Sequence, residues 1–176
     1  DFNVELTGFS TAEIDLTLDP APQKKDDPAD SIPEPSPGPA VTQRGDVWEL
    51  GEHRLLCGDA TDPADYRLLM NKQKAQMIFT DPPYNVPISG HVCGLGKVQH
   101  REFAMAVGEM TPEQFTDFLS QVMAQLCRYS QNGSIHYLCM DWRHLAELLE
   151  AGRDNYTEYK QLIVWSKDNA GMGAFY

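Results

Sequence analysis

From Asp46 onward, short apolar runs alternate with stretches whose apolar residues fall at helical spacing. That alternation predicts strands separated by helices. Val47-Trp48-Glu49-Leu50, then Gly51-Glu52, then His53 to Cys57 reads as a hairpin whose second strand ends at Gly58-Asp59. Thr61-Asp62-Pro63 opens a helix with a capping residue and an early proline, and Leu68, Leu69 and Met70 turn toward the core. Residues 76–80 read as a buried strand. Thr111-Pro112-Glu113-Gln114 is a capping box. It opens a helix with Phe115, Phe118, Leu119, Val122, Met123 and Leu126 on one face, which Asn132-Gly133 ends. Ile135 to Met140 is the next strand. Asp141 caps a helix carrying Leu145, Leu148 and Leu149, and Lys160 to Trp165 is a further strand. The succession predicts an α/β fold with a mostly parallel sheet covered on both faces.

Ahead of Asp46 the pattern is lost. Residues 20–39 hold seven of the twelve prolines and almost no large apolar side chain. Such a stretch cannot bury enough surface to offset the entropy of ordering, so residues 20–45 read as a linker. Residues 1–19 contain a short apolar strand, a turn and the start of a helix, too little to fold alone. Residues 46–176 form the main domain.

Composition narrows the partners. The chain has 26 acidic and 14 basic side chains, a net charge of −12. That excludes a basic DNA-coating protein, although an acidic enzyme can still bind DNA through a local basic surface. The cysteines, at 57, 93, 127 and 139, have no paired zinc spacing, so no metal is expected and reduced thiols fit a cytoplasmic protein. No apolar run is long enough to cross a bilayer.

The most informative residues are Asp81-Pro82-Pro83-Tyr84, directly after the apolar run Ala75 to Thr80. The prolines fix φ and lack an N–H, so their carbonyls stay free to accept. A carboxylate lies beside them, and an aromatic face next to it. This pocket suits a flat group with an exocyclic NH2. Asp59, Asp81 and Asp141 all fall at predicted carboxyl ends of strands, where open α/β sheets bind ligands.

On these residues the chain resembles a family. Thr80-Asp81-Pro82-Pro83-Tyr84-Asn85 is similar to the catalytic motif of the DNA amino-methyltransferases, which transfer methyl from S-adenosyl-L-methionine to N6 of adenine or N4 of cytosine. Leu55 to Ala60, Gly133 to Trp142 and Leu162 to Asn169 resemble further strand ends of that fold. The resemblance spans residues 46–176 and implies a Rossmann-like methyltransferase sheet, double-stranded DNA as partner and S-adenosyl-L-methionine as cofactor. It implies that Asp81 and the Pro82 carbonyl hold the target amino group, with Pro83 shaping the turn. Tyr84 then stacks on a base flipped out of the duplex. Asp59 would meet the cofactor's adenine. Asp141 would touch cofactor or serve as a helix cap. Asn85 would brace the loop or line the pocket. Lys167 and Asn169, with Trp165, match a pattern near the target base, Trp165 reading better as core.

Residues 89–101 are glycine-rich and locally basic. Lys97 is followed by Val98, not Ser or Thr, which excludes a phosphate-binding P-loop. The segment, with Lys97 and Arg101, instead reads as a mobile lid or a DNA-contact loop. The family's Phe-x-Gly-x-Gly cofactor signature is not found in the chain, as expected of the first half of a permuted catalytic domain that is inactive alone. Residues 1–19 weakly resemble the end of a ParB-like domain. Adenine is favoured over cytosine because the family's cytosine enzymes more often carry Ser in place of Asp81. An RNA or protein-glutamine methyltransferase and an inactive DNA-binding remnant are the rivals.

Overall fold

The computed structural model describes residues 38–87 and 103–165. The chain divides into two units, Asp1–Val41 and Thr42–Tyr176, and every element below belongs to the second. Strands β1 (Val47–Leu50) and β2 (His53–Leu56) form the expected antiparallel hairpin, with Trp48 opposite Leu55 and Leu50 opposite His53. Gly51 takes a φ of +64° at its turn, a left-handed conformation that glycine adopts without a Cβ penalty.

Helix α1 (Pro63–Met70) starts as its sequence dictates. The Asp62 side chain accepts from the Ala64 N–H at 2.8 Å and Pro63 occupies the first turn. At the other end, Arg54 of β2 donates Nη1–H to the Leu68 and Leu69 carbonyls at 2.9 and 2.7 Å. These are carbonyls the helix itself cannot satisfy, so the arginine ties hairpin to helix. The expected apolar face of α1 is not met: none of its residues is buried, and Leu68 is exposed.

The centre of the unit is a β-α-β element. Strand β3 (Ala75–Thr80) runs parallel to β4 (Ser130–Leu138), with helix α2 (Pro112–Arg128) between them in the chain. The capping box forms as predicted: Thr111 Oγ1 accepts from the Gln114 N–H at 3.3 Å, and Gln114 Oε1 accepts from the Thr111 N–H at 2.9 Å. Of the predicted apolar stripe, Phe115, Leu119, Val122, Met123 and Leu126 are buried, and Phe118 is partly so. A 3-10 turn, Trp142–His144, leads into α3 (Leu145–Arg153), which packs on α2. Phe115, Leu119, Met123, Ala106 and Ala151 form the core, with Leu138, Leu148 and Tyr156 against it.

His136 joins β4 to its surroundings. One ring nitrogen lies 2.9 Å from Ser130 Oγ and 3.1 Å from Ser134 Oγ, and the other 3.0 Å from the Tyr156 hydroxyl. Burial lowers its pKa below the ordinary imidazole value.

Four expectations need correction. Helix α2 stops at Arg128, and Asn132-Gly133 lies inside β4, in a bulge where two steps along β3 match five along β4. Gly133 absorbs that surplus at a φ of +80°. The stretch Lys160 to Trp165 is not a strand. It pairs with nothing among the described residues, and Val164 and Trp165 are 78% and 80% exposed. Residues 76–80 are not buried on both faces: Ile78 and Thr80 turn inward, whereas Met77 and Phe79 are exposed, beside Ile135 and Tyr137 of β4. One mostly parallel sheet is therefore replaced, among the described residues, by two separate two-stranded sheets. The physical reason is common to the last three. A strand's apolar run gains its burial only from neighbours, and local periodicity does not say whether those are present.

Candidate functional site

Parallel pairing brings the ends of β3 and β4 to one level. Thr80 lies opposite Leu138, and the Cys139 N–H continues the ladder to the Thr80 carbonyl at 2.9 Å. The chain then turns off β3 through Asp81 to Pro87 and off β4 through Cys139 to Asp141. Asp81 and Tyr84 on one side, and Cys139 and Asp141 on the other, accordingly follow the paired ends of the two strands. The Tyr84 hydroxyl donates to Asp81 Oδ1. Burial first, then that bond and the charges of Asp81, Cys139 and Asp141, push the Tyr84 phenol far above its ordinary value. The Cys139 thiol is also raised, by burial and then by Asp81. Both groups therefore stay protonated at neutral pH. The arrangement offers carboxylate and carbonyl acceptors beside a phenol ring.

Asn85 lies just behind this group. It is buried, with a left-handed φ of +55°. Its Nδ2 donates to the Met110 carbonyl at 2.9 Å, and its Oδ1 accepts from the Gly108 and Met110 N–H groups at 3.1 and 3.2 Å. Of its two sequence-based roles, these bonds are those of a brace.

Asp59 belongs to a different local structure, the turn after β2. Its Oδ1 accepts from the Thr61 N–H at 2.8 Å and the Thr61 hydroxyl at 2.7 Å. Those two bonds, the side-chain one first, hold its pKa below the usual carboxylate value. Arg44 stands 3.7 Å from Oδ2. The Asp59 N–H donates to Asp65 Oδ2 at 2.7 Å, and the same oxygen would lie 2.7 Å from any Cβ at position 58. That close approach is why Gly58 precedes Asp59. Among the described residues no hydrogen bond or ion pair joins Asp59 to the Asp81 group. Asp141 is occupied as a cap: Oδ1 accepts from the Arg143 N–H at 2.9 Å and Oδ2 from Arg143 Nη1 at 2.8 Å.

Pro82 and Pro83 lie on the Asp81–Tyr84 turn. Lys97, Arg101, Lys167 and Asn169 fall outside the described residues. Two participants were missed by sequence reading. Cys139 could have been found by the strand-end argument already applied to Asp81. Glu109 could not, because its carboxylate is bound to the Ala106 and Val107 N–H groups, both at 2.6 Å, in a turn with no periodic signal. Among the described residues no group of His, Cys, Asp and Glu could hold a metal ion, and no helix is long and apolar enough to cross a membrane.

Residues 1–44 match the family model described as the ParB-methyltransferase HTH domain. The match covers the segment read above as the end of a ParB-like domain and also the proline-rich stretch that follows it. No curated protein and no solved structure matches the chain.

Proposed function

We propose that this chain belongs to a site-specific DNA methyltransferase that transfers methyl from S-adenosyl-L-methionine to N6 of a flipped adenine. The observation that carries the reading is the Asp81–Tyr84 turn at the carboxyl end of a parallel strand pair whose connection includes a helix. Ligands of open α/β sheets sit at such ends. A helix-turn-helix family match at residues 1–44 supports DNA as the partner. In this reading residues 46–176 are the N-terminal half of a Rossmann-like catalytic domain.

An aromatic amine is a poor nucleophile because its lone pair is delocalised into the ring. Asp81 and the Pro82 carbonyl accept its two hydrogens and draw the nitrogen toward tetrahedral geometry. Developing positive charge on that nitrogen is stabilised by the carboxylate. The Tyr84 ring holds the base in plane by stacking, and the base must first leave the duplex. Bound S-adenosyl-L-methionine would supply the methyl group from its sulfonium, leaving as the neutral thioether S-adenosylhomocysteine, and the methylated nitrogen would release its extra proton to water afterwards. Asp59 fits the cofactor's amino group better than Asp141 does. Thr61 binds its Oδ1, and Arg44 stands 3.7 Å from its Oδ2, beyond hydrogen-bond distance, whereas both Asp141 oxygens are engaged by Arg143.

The test uses methyl-labelled cofactor and duplex DNA with the intact protein. Label is expected on adenine N6, and Asp81→Ala is expected to abolish transfer while cofactor binding stays nearly intact. Full activity in Asp81→Ala would overturn the mechanism. Label on cytosine N4 would keep the mechanism and move the substrate to the alternative base. A helix-turn-helix match alone also favours a second reading, a DNA-binding remnant without catalysis. DNA binding with no transfer under any condition would select it.

A further inference from the structure

We propose that Asn85 is a positioning residue whose side-chain amide sets the angle at which the Asp81–Tyr84 turn meets its substrate. The inference rests on the methyltransferase reading for its catalytic consequence, and on the geometry alone for its structural one. Asn85 is 7% exposed, and its amide makes three hydrogen bonds to the backbone of residues 108 and 110. Both lone pairs of Oδ1 and one hydrogen of Nδ2 are thereby used, a pattern that needs acceptor and donor on one short side chain. Asp would keep the two acceptor contacts and set a carboxylate oxygen against the Met110 carbonyl. Ala would lose all three. The left-handed backbone at this position also favours Asn over most other side chains.

The other side of the clamp is itself held. Gly108, at a φ of +101°, packs so closely that a Cβ would stand 3.1 Å from Pro87 Cδ. Glu109 binds the Ala106 and Val107 N–H groups. Met110 directly precedes the Thr111 cap of α2, and Phe115 in the first turns of that helix is fully buried. Asn85 thus links the Asp81–Tyr84 turn, through Met110, to the start of the helix that carries most of the buried core. Gly108 and Met110 lie 23 and 25 positions from Asn85, so no contact between sequence neighbours could make this link.

Two readouts test the proposal on the intact protein, labelled with carbon-13 in its tyrosine rings. The Tyr84 resonance is assigned by its loss in Tyr84→Phe. In the parent protein that phenol should titrate well above free tyrosine. In Asn85→Ala and Asn85→Gly it should fall back toward the ordinary value. kcat for transfer should fall about 100-fold, the cost of a misplacement near 1 Å, with KM for the cofactor unchanged. Asn85→Gly is the decisive variant, because glycine adopts the left-handed backbone at no steric cost while the amide is lost. Asn85→Asp retains the two acceptor contacts but sets a carboxylate oxygen against the Met110 carbonyl, so it too should lower kcat, and it serves if Asn85→Ala fails to fold. A parental Tyr84 titration and parental kcat in Asn85→Gly would overturn the proposal. If the parent protein transfers no methyl at all, the methyltransferase reading fails. The Tyr84 titration would still decide whether Asn85 positions the turn.

Discussion

Tyr84 has two separable parts, a ring and a hydroxyl, and the structure engages the second with Asp81. That bond joins a half-buried phenol to an exposed carboxylate, which water can satisfy when the hydroxyl is removed. The ring, by contrast, would lose a stacking partner worth about 1–3 kcal/mol per base. We predict that Tyr84→Phe keeps most of the transfer activity, whereas Tyr84→Ala loses roughly 5- to 150-fold in kcat/KM. A phenylalanine variant as impaired as the alanine one would assign the hydroxyl a direct role with the target amine. The Asp81–Tyr84 turn was legible in the sequence because its chemistry lies in four consecutive residues. The role of Asn85 was not. Its partners are 23 and 25 positions away, and only folding brings them together. Asp141 was legible as a cap and remains one.

The same division holds for elements. Caps and turns announce themselves locally, so the hairpin, the Asp62 start of α1 and the Thr111 box of α2 were all readable. Strands depend on partners, and Lys160 to Trp165 shows an apolar run that pairs with nothing among the described residues. Strand β4 carries a prediction of its own through His136. Its pKa is lowered in the folded protein, while the unfolded value is about 6.5. Below about pH 6.5 the unfolded chain therefore binds more protons than the native one, and stability drops as pH falls toward the depressed folded value. The urea midpoint should be lower at pH 5.5 than at pH 8 (both about one unit or more from 6.5). His136→Gln should remove part of that slope. An unchanged slope in His136→Gln would show that other groups carry the pH dependence.

At the scale of the whole molecule, two facts stand against each other. Met77, Phe79, Ile135 and Tyr137 form an exposed apolar face on one side of the parallel pair. Faces of this kind drive association. The chain also carries a net charge of −12, which makes copies repel. Repulsion reaches only as far as the screening length, about 30 Å at 0.01 M salt and about 3 Å at 1 M. Light scattering should therefore report growing particles as sodium chloride is raised across that range, and Phe79→Asp should suppress the growth. Scattering independent of salt would show that the face attracts no second copy. The acidity that first bore on DNA binding has a colloidal consequence as well. It sets an ionic strength above which an exposed sheet face ceases to be harmless, so the salt chosen to handle this protein decides whether it is studied as single molecules or as clusters.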